Sequence, residues 1–272
     1  MKRESGLRRE SVLESWTRSH SVIAWASQGS PFIVHGIPMK ATEKWARPVR
    51  RRIYLLRHGD VSYFDGDGRP FHPETVPLNA EGRAQADSAC RALADIPIDR
   101  VVSSDLLRSV ETARLVSADR DIRVEERKEL REIRPGRLAD IPAEDLENAF
   151  VGAFGSIITR ETRFLAGETF GSLADRVLPC FRQLLLDSAW RHLVIVAHGG
   201  VNRTIIANAL GMELRGFGAI EQDPACINIL DVDGQGRVLI RLVNYTPYNP
   251  AKNGLDLTTM ERLYLQYRTP KE

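Results

Sequence analysis

From residue 52 onward, short apolar runs alternate with stretches whose apolar residues recur three and four apart. Ile53–Leu56 and Leu193–Ala197 are apolar throughout and strand-sized, as expected of strands buried on both faces. Arg100–Ser103 and, more briefly, Ile122–Val124 add two further strands. Helical spacing predicts helices over Ala80–Leu93 with Asn79 as N-cap, around Leu106–Val116, over Phe170–Leu186 with a kink at Pro179, and over Val201–Leu210 closed by Gly211. Ala225–Asp231 and Val238–Asn244 flank Asp233-Gly234, a hairpin signal. Residues 133–169 contain Pro135, Pro142 and several glycines, and read as a partly helical, cap-like excursion over the sheet edge. The alternation predicts the α/β class: a three-layer α/β/α sandwich around a mainly parallel sheet. Ligands of such sheets bind beyond the C-terminal strand ends.

Two predicted strands end in His-Gly. The first runs into Arg57-His58-Gly59 and the second into His198-Gly199. A guanidinium, an imidazole and a bare backbone at one strand tip suit the capture of a phosphoryl group. Arginine matches phosphate oxygens bidentately. A histidine that is mostly neutral near pH 7 is a nucleophile without assistance. Glycine lets a substrate approach the main chain.

Composition narrows the class. The 272 residues carry a formal net charge of +2, but the sign is unevenly spread. Residues 1–52 hold eleven Lys/Arg against four Glu, and the remainder holds 27 against 32. We read residues 1–51 as a basic N-terminal extension, poorly ordered or loosely packed, and 52–272 as the catalytic domain. A tail for anionic partners, a cleaved transit segment, or upstream sequence ahead of a start at Met39 are the readings the charge invites. No apolar run approaches the length of a membrane span. Cys90, Cys180 and Cys226 are widely spaced, with no CxxC and no metal-ligand spacing, which points to buried thiols and a cytoplasmic location.

The ordered fragments Leu55-Leu-Arg-His-Gly59, Leu78-Asn-Ala-Glu-Gly-Arg-Ala-Gln-Ala86, Val101-Val-Ser-Ser-Asp-Leu-Leu-Arg-Ser-Val-Glu-Thr-Ala113, Leu130-Arg-Glu-Ile133, Gly167-Glu-Thr169 and Val196-Ala-His-Gly-Gly200 resemble the histidine phosphatase superfamily, also called phosphoglycerate mutase-like. The resemblance implies that His58 is the nucleophile, that Arg57, Arg108 and His198 bind the phosphoryl group, and that Glu132 protonates the leaving oxygen. Gly199 would open a helix whose free N–H groups favour the anion. Two guanidiniums and one imidazolium would then face the transferring group. The activity implied is that of a metal-independent phosphomonoester hydrolase of the histidine acid phosphatase type. Its partner would be a small phosphorylated substrate or a phosphoprotein, with no cofactor, metal or nucleic acid. The sequence His198-Gly-Gly-Val-Asn-Arg-Thr204 is closer to the phosphatase branch than to the His-Gly-Asn of mutases. A phosphomutase and a non-catalytic phosphate-binding module are the alternatives.

The chain departs from the family pattern at Asp60, Val61 and Ser62 after Arg-His-Gly, at Asp105 where Pro is usual, and at Gly136–Asp140. Substrate contacts are expected from Tyr63, Arg69 and His72 and from Arg134, Arg137, Arg160 and Arg163, with the arginines balanced between a second anion and plain solvation. Asp65–Gly68 and Asp231–Gly234 look like calcium loops but lack the closing Glu, so they read as turns.

Overall fold

The computed structural model describes residues 49–65, 69–155 and 157–268. The basic extension assigned to residues 1–51 lies outside the described residues as far as residue 48, and with it the transit-segment and Met39 readings. The loop Asp65–Gly68 falls outside them beyond Asp65.

The first strand, β1 (Arg51–Arg57), is followed by α1 (Ala80–Ala92), β2 (Arg100–Ser104), α2 (Leu107–Val116) and β3 (Val124–Arg127). Next come α3 (Leu146–Val151), α4 (Phe170–Leu186), β4 (His192–Ala197), α5 (Gly199–Ala209), β5 (Ile227–Val232), β6 (Val238–Tyr245) and α6 (Thr259–Arg268). The six strands form one sheet in the order β3-β2-β4-β1-β5-β6. β1, β2, β3 and β4 are mutually parallel; β5 runs antiparallel to β1, and β6, antiparallel to β5, returns to the direction of the other four.

Alternation along the strands builds two cores. Ile53 and Leu55 of β1, with Leu193 and Ile195 of β4, face one side and pack with Leu173, Val177 and Phe181 of α4 and Ile205 and Ile206 of α5. Tyr54 and Leu56, with Val194 and Val196, face the other side against Ala89 of α1 and Ala113 and Val116 of α2. Two apolar layers on one sheet give the expected three-layer α/β/α sandwich.

Local chemistry explains most boundaries. Asn79 caps α1, its Oδ1 accepting from Gly82 N at 2.7 Å, and Thr169 caps α4 by accepting from Ser172 N at 3.1 Å. α4 runs through Pro179 without a break. Gly211, at φ +70°, follows α5 in the left-handed conformation common past helix ends.

Three differences from expectation have physical causes. β3 begins two residues late and reads Val-Glu-Glu-Arg, because an edge strand needs only one apolar flank. The hairpin between β5 and β6 places its positive φ at Gly236 rather than Gly234, within a loop closed by Asp233 N donating to Arg237 O. Helix α6 was not expected, although Thr258-Thr-Met-Glu261 is a capping box. Glu261 Oε2 accepts from Thr258 N at 2.6 Å and Thr258 Oγ1 from Glu261 N at 3.2 Å.

Candidate active site

Register brings the two His-Gly elements together. In the parallel pair β1–β4, Arg57 lies opposite Ala197, so His58 and His198 leave the sheet side by side. Their ring centroids are 5.1 Å apart. His58 N donates to Ala197 O at 3.0 Å, and Ala225 N donates to His58 O at 3.0 Å.

The hydrogen bonds fix the His58 tautomer and hold the His198 ring. His58 Nδ1 lies 2.7 Å from the carbonyl oxygen of Gly59, an acceptor, so Nδ1 carries the proton and Nε2 a lone pair. That lone pair faces Arg108 Nε at 3.2 Å. His198 is held the opposite way round: its Nε2 meets Ser104 Oγ at 2.9 Å and Ser109 Oγ at 3.3 Å. With the Ser104 hydroxyl donating its proton to His198 Nε2, the proton of the neutral ring lies on Nδ1. His198 Nδ1 is buried without a partner.

Burial, then the charges of Arg108 and Arg57, holds the His58 pKa well below the usual imidazole range. Burial, followed by Arg108, His58 and Arg57, does the same for His198. Both rings are therefore held towards the neutral form. A neutral Nδ1–H still donates.

Arg57 and Arg108 are 7 % and 2 % exposed. Arg57 Nη1 donates to Gln222 O at 2.7 Å and to Thr259 Oγ1 at 3.2 Å, while its buried Nε has no acceptor. Arg108 Nη1 donates to Pro73 O at 2.6 Å, and its guanidinium lies over the Tyr63 ring. Arg57 Nε and His198 Nδ1 are thus two buried nitrogens without a hydrogen-bond partner at the same strand tips, a rare condition in proteins.

Glu132 sits at the N-terminus of α5. Gly200 N donates to its Oε1 and Oε2 at 3.1 and 3.0 Å, and Ile133 N donates to Oε1 at 2.9 Å. A Cβ on Gly200 would stand 2.5 Å from Glu132 Oε1, so a side chain there would push the carboxylate out of place. A Cβ on Gly199 itself would lie 3.3 Å from Arg203 Nη1, 3.7 Å from Arg57 Nε and 3.8 Å from Glu132 Oε2. Arg57, His58, Arg108, Glu132, His198 and Gly199 therefore converge, as the sequence motifs implied.

The supporting residues are less obvious from sequence. Arg176 of α4 donates to the backbone oxygens of Glu129, Arg131 and Glu132, and Glu168 holds Arg176 through its Nε at 3.1 Å. This accounts for Gly167-Glu-Thr169. Asp105 accepts from Arg131 Nε and Nη2 at 2.7 and 2.8 Å, a bidentate tie between the tip of β2 and the Glu132 segment. Arg203, 2 % exposed, pairs with Glu221 at 3.1 Å and lies over the Phe154 ring. Its position four residues after Gly199, on the same helix face, was the available signal.

A cavity of about 1130 Å³ opens from His58 and Arg108 and is lined on the far side by the segments 60–64, 70–74, 131–139 and 255–267. Tyr63, His72, Arg134 and Arg137 line it as expected. Arg160 and Arg163 do not: Arg160 pairs with Asp175 at 2.7 Å, and Arg163 Nη1 donates to Gly167 O at 2.8 Å. No group of three or more His, Cys, Asp or Glu among the described residues is arranged to hold a metal ion, and no described helix is long and apolar enough to cross a membrane.

Known proteins share this arrangement of sequence and fold. The chain is 29% identical to the adenosylcobalamin/alpha-ribazole phosphatase of Escherichia coli (strain K12) over 200 residues, covering 71% of this chain and 95% of that protein. It is 32% identical to the glucosyl-3-phosphoglycerate phosphatase of Mycolicibacterium vanbaalenii over 175 residues, covering 60% of this chain and 75% of that one. Its fold matches the crystal structure of the alpha-ribazole phosphatase from Shigella flexneri with a TM-score of 0.60 and 29% identity, over 72% of this chain and 96% of that one. Residues 53–245 match the model of the histidine phosphatase superfamily (branch 1), the family to which this chain belongs.

Proposed function

We propose that the chain is a metal-independent phosphomonoester hydrolase that works through a phosphohistidine on His58. The observation that carries this reading is the nitrogen assignment at the strand tips. His58 presents an unprotonated Nε2, and Arg57 Nε and His198 Nδ1 are buried donors without acceptors beside it.

In the proposed reaction His58 Nε2 attacks phosphorus in line, forming the N–P bond as the ester P–O bond breaks. Glu132 protonates the departing alkoxide oxygen. The carboxyl then takes a proton from water, whose oxygen attacks phosphorus and breaks the N–P bond to release inorganic phosphate and free His58. Arg57, Arg108 and His198 donate to the phosphoryl oxygens, which carry about −1.5 to −2 charges in a monoester. Catalysis is then positioning and charge stabilisation. A small phosphorylated molecule is the substrate this reading favours, since the phosphatase relatives are named for such compounds.

Phosphate release from a panel of phosphomonoesters in EDTA, wild type against His58→Ala, tests the proposal. Release that survives EDTA and disappears in the variant is expected. Release unaffected by His58→Ala would overturn the mechanism, and phosphoryl exchange between substrates without release would turn the reading towards a mutase.

A further inference from the structure

The cavity beyond His58 is far larger than a phosphoryl group requires. Its volume of about 1130 Å³ exceeds the roughly 300–1,000 Å³ of ordinary small-molecule pockets. More of its wall surface is apolar than polar. The apolar wall starts at the phosphoryl end, where Tyr63 lies under the Arg108 guanidinium. The next residue, Phe64, packs edge-on against Tyr267 of α6 with centroids 5.7 Å apart, and Tyr267 is in turn stacked on the buried Phe150 at 5.8 Å. Leu263 on the same face of α6, together with Phe71, half exposed, adds further apolar surface.

The charged groups along the same wall are mostly committed to each other. Arg131 is held by Asp105 and Glu74, Arg262 by Asp223, and Arg203 by Glu221. Arg134 lies 3.7 Å from Glu168. Lys128 and Arg137 also line the cavity, but both are solvent-exposed, where an ionic contact is weak. A cation already neutralised by a carboxylate offers little to a second phosphate. An aromatic face, by contrast, gains from contact with another flat or apolar surface.

We infer that the substrate is a monophosphate ester of a bulky, flat-faced apolar alcohol, whose body lies along the Phe64–Tyr267 wall, and not a small polyol phosphate or a bisphosphate. This inference rests on the phosphatase reading above and goes further by naming the substrate class.

The test compares kcat/KM for naphthylethyl phosphate, glycerol phosphate and glycerol bisphosphate. The esters are all alkyl, so leaving-group chemistry does not decide the ranking. A preference of roughly 30-fold or more for the naphthylethyl ester is expected from burying one aromatic body. Tyr267→Leu should lower that ratio about tenfold, chiefly through KM, and Phe71→Ala should lower it as well; Phe71 is half exposed, so its loss leaves the fold intact. Equal or better turnover of either glycerol ester would overturn the inference while leaving the phosphatase reading standing. A preference that neither substitution changes would also overturn it. Failure to release phosphate from all three esters would instead overturn the phosphatase reading, and this inference with it.

Discussion

His58 and His198 are both buried, yet each ring commits the nitrogen that the other leaves free. His58 spends Nδ1 on Gly59 O, and His198 spends Nε2 on two serine hydroxyls. One ring is left with a lone pair and the other with a proton, which is the division that attack on phosphorus and binding of its oxygens call for. The same burial has a cost in stability. Each folded-state pKa lies well below the ordinary imidazole value of about 6.5, so the unfolded chain takes up these protons first as pH falls. Stability from the two neutral rings is thus complete above about pH 6.5 and declines below it, by up to roughly 1.4 kcal/mol per pH unit for each ring. Thermal melts between about pH 7.5 and 5.5 should show this fall, and His198→Gln should show a shallower one; identical slopes would contradict the assignment. Glu132→Gln separates proton donation from phosphoryl binding. The kcat/KM for an alkyl phosphate, which reports the phosphorylation step before water attack, should drop by roughly 10²–10⁴, while that for a nitrophenyl ester, whose leaving group needs no proton, should lose far less. Equal losses on both esters would remove Glu132 from the acid role.

At the scale of elements, close backbone approaches hold the site together. Gly59 and the first turn of α1 touch so closely that a Cβ on Gly82 would lie 2.1 Å from Asp60 O. Gly82→Ala therefore pushes backbone against backbone and should destabilise the fold by roughly 1–3 kcal/mol in denaturant titrations. Gly200→Ala meets only the Glu132 carboxylate, which can swing aside. The fold should keep its stability, since alanine favours a helix by about 1 kcal/mol over glycine. Alkyl ester turnover should fall about 10²-fold with the loss of carboxylate placement. A stable Gly200→Ala protein with full activity would contradict the role of α5 in aiming Glu132. Much of this level was legible beforehand. The apolar runs marked β1 and β4 because both are buried on two faces, and Asn79 announced α1. β3 was misplaced because an edge strand carries little apolar signal, and α6 was missed because its capping box follows a polar stretch, 249–258, that reads as loop.

On the scale of the whole molecule, the His-Gly, Leu-Arg-Glu and Gly-Glu-Thr motifs were readable as a set, whereas the neutralising partners of the cavity were not. Those partners come from positions far apart in sequence, such as Asp105 with Arg131 and Asp223 with Lys252 and Arg262. No local pattern encodes them. Asp223 is the clearest case. Only 4 % exposed, it accepts from Lys252 Nζ and Arg262 Nη2, each at 2.9 Å, and so ties α6 to the turn that follows Gln222. Asp223→Asn should cost roughly 1–3 kcal/mol and speed hydrogen exchange across residues 246–268, with the sheet unchanged. Uniform exchange throughout would mean that α6 is not held by this contact. The central claim remains the covalent step. It is tested most directly by mixing the protein with a phosphomonoester, quenching in alkali, where phosphohistidine survives, and locating the phosphoryl group by mass spectrometry. The account predicts phosphate on His58 Nε2, lost in His58→Ala and accumulating when water attack is slowed. Turnover with no phosphorylated His58, or with phosphate on another residue, would contradict it.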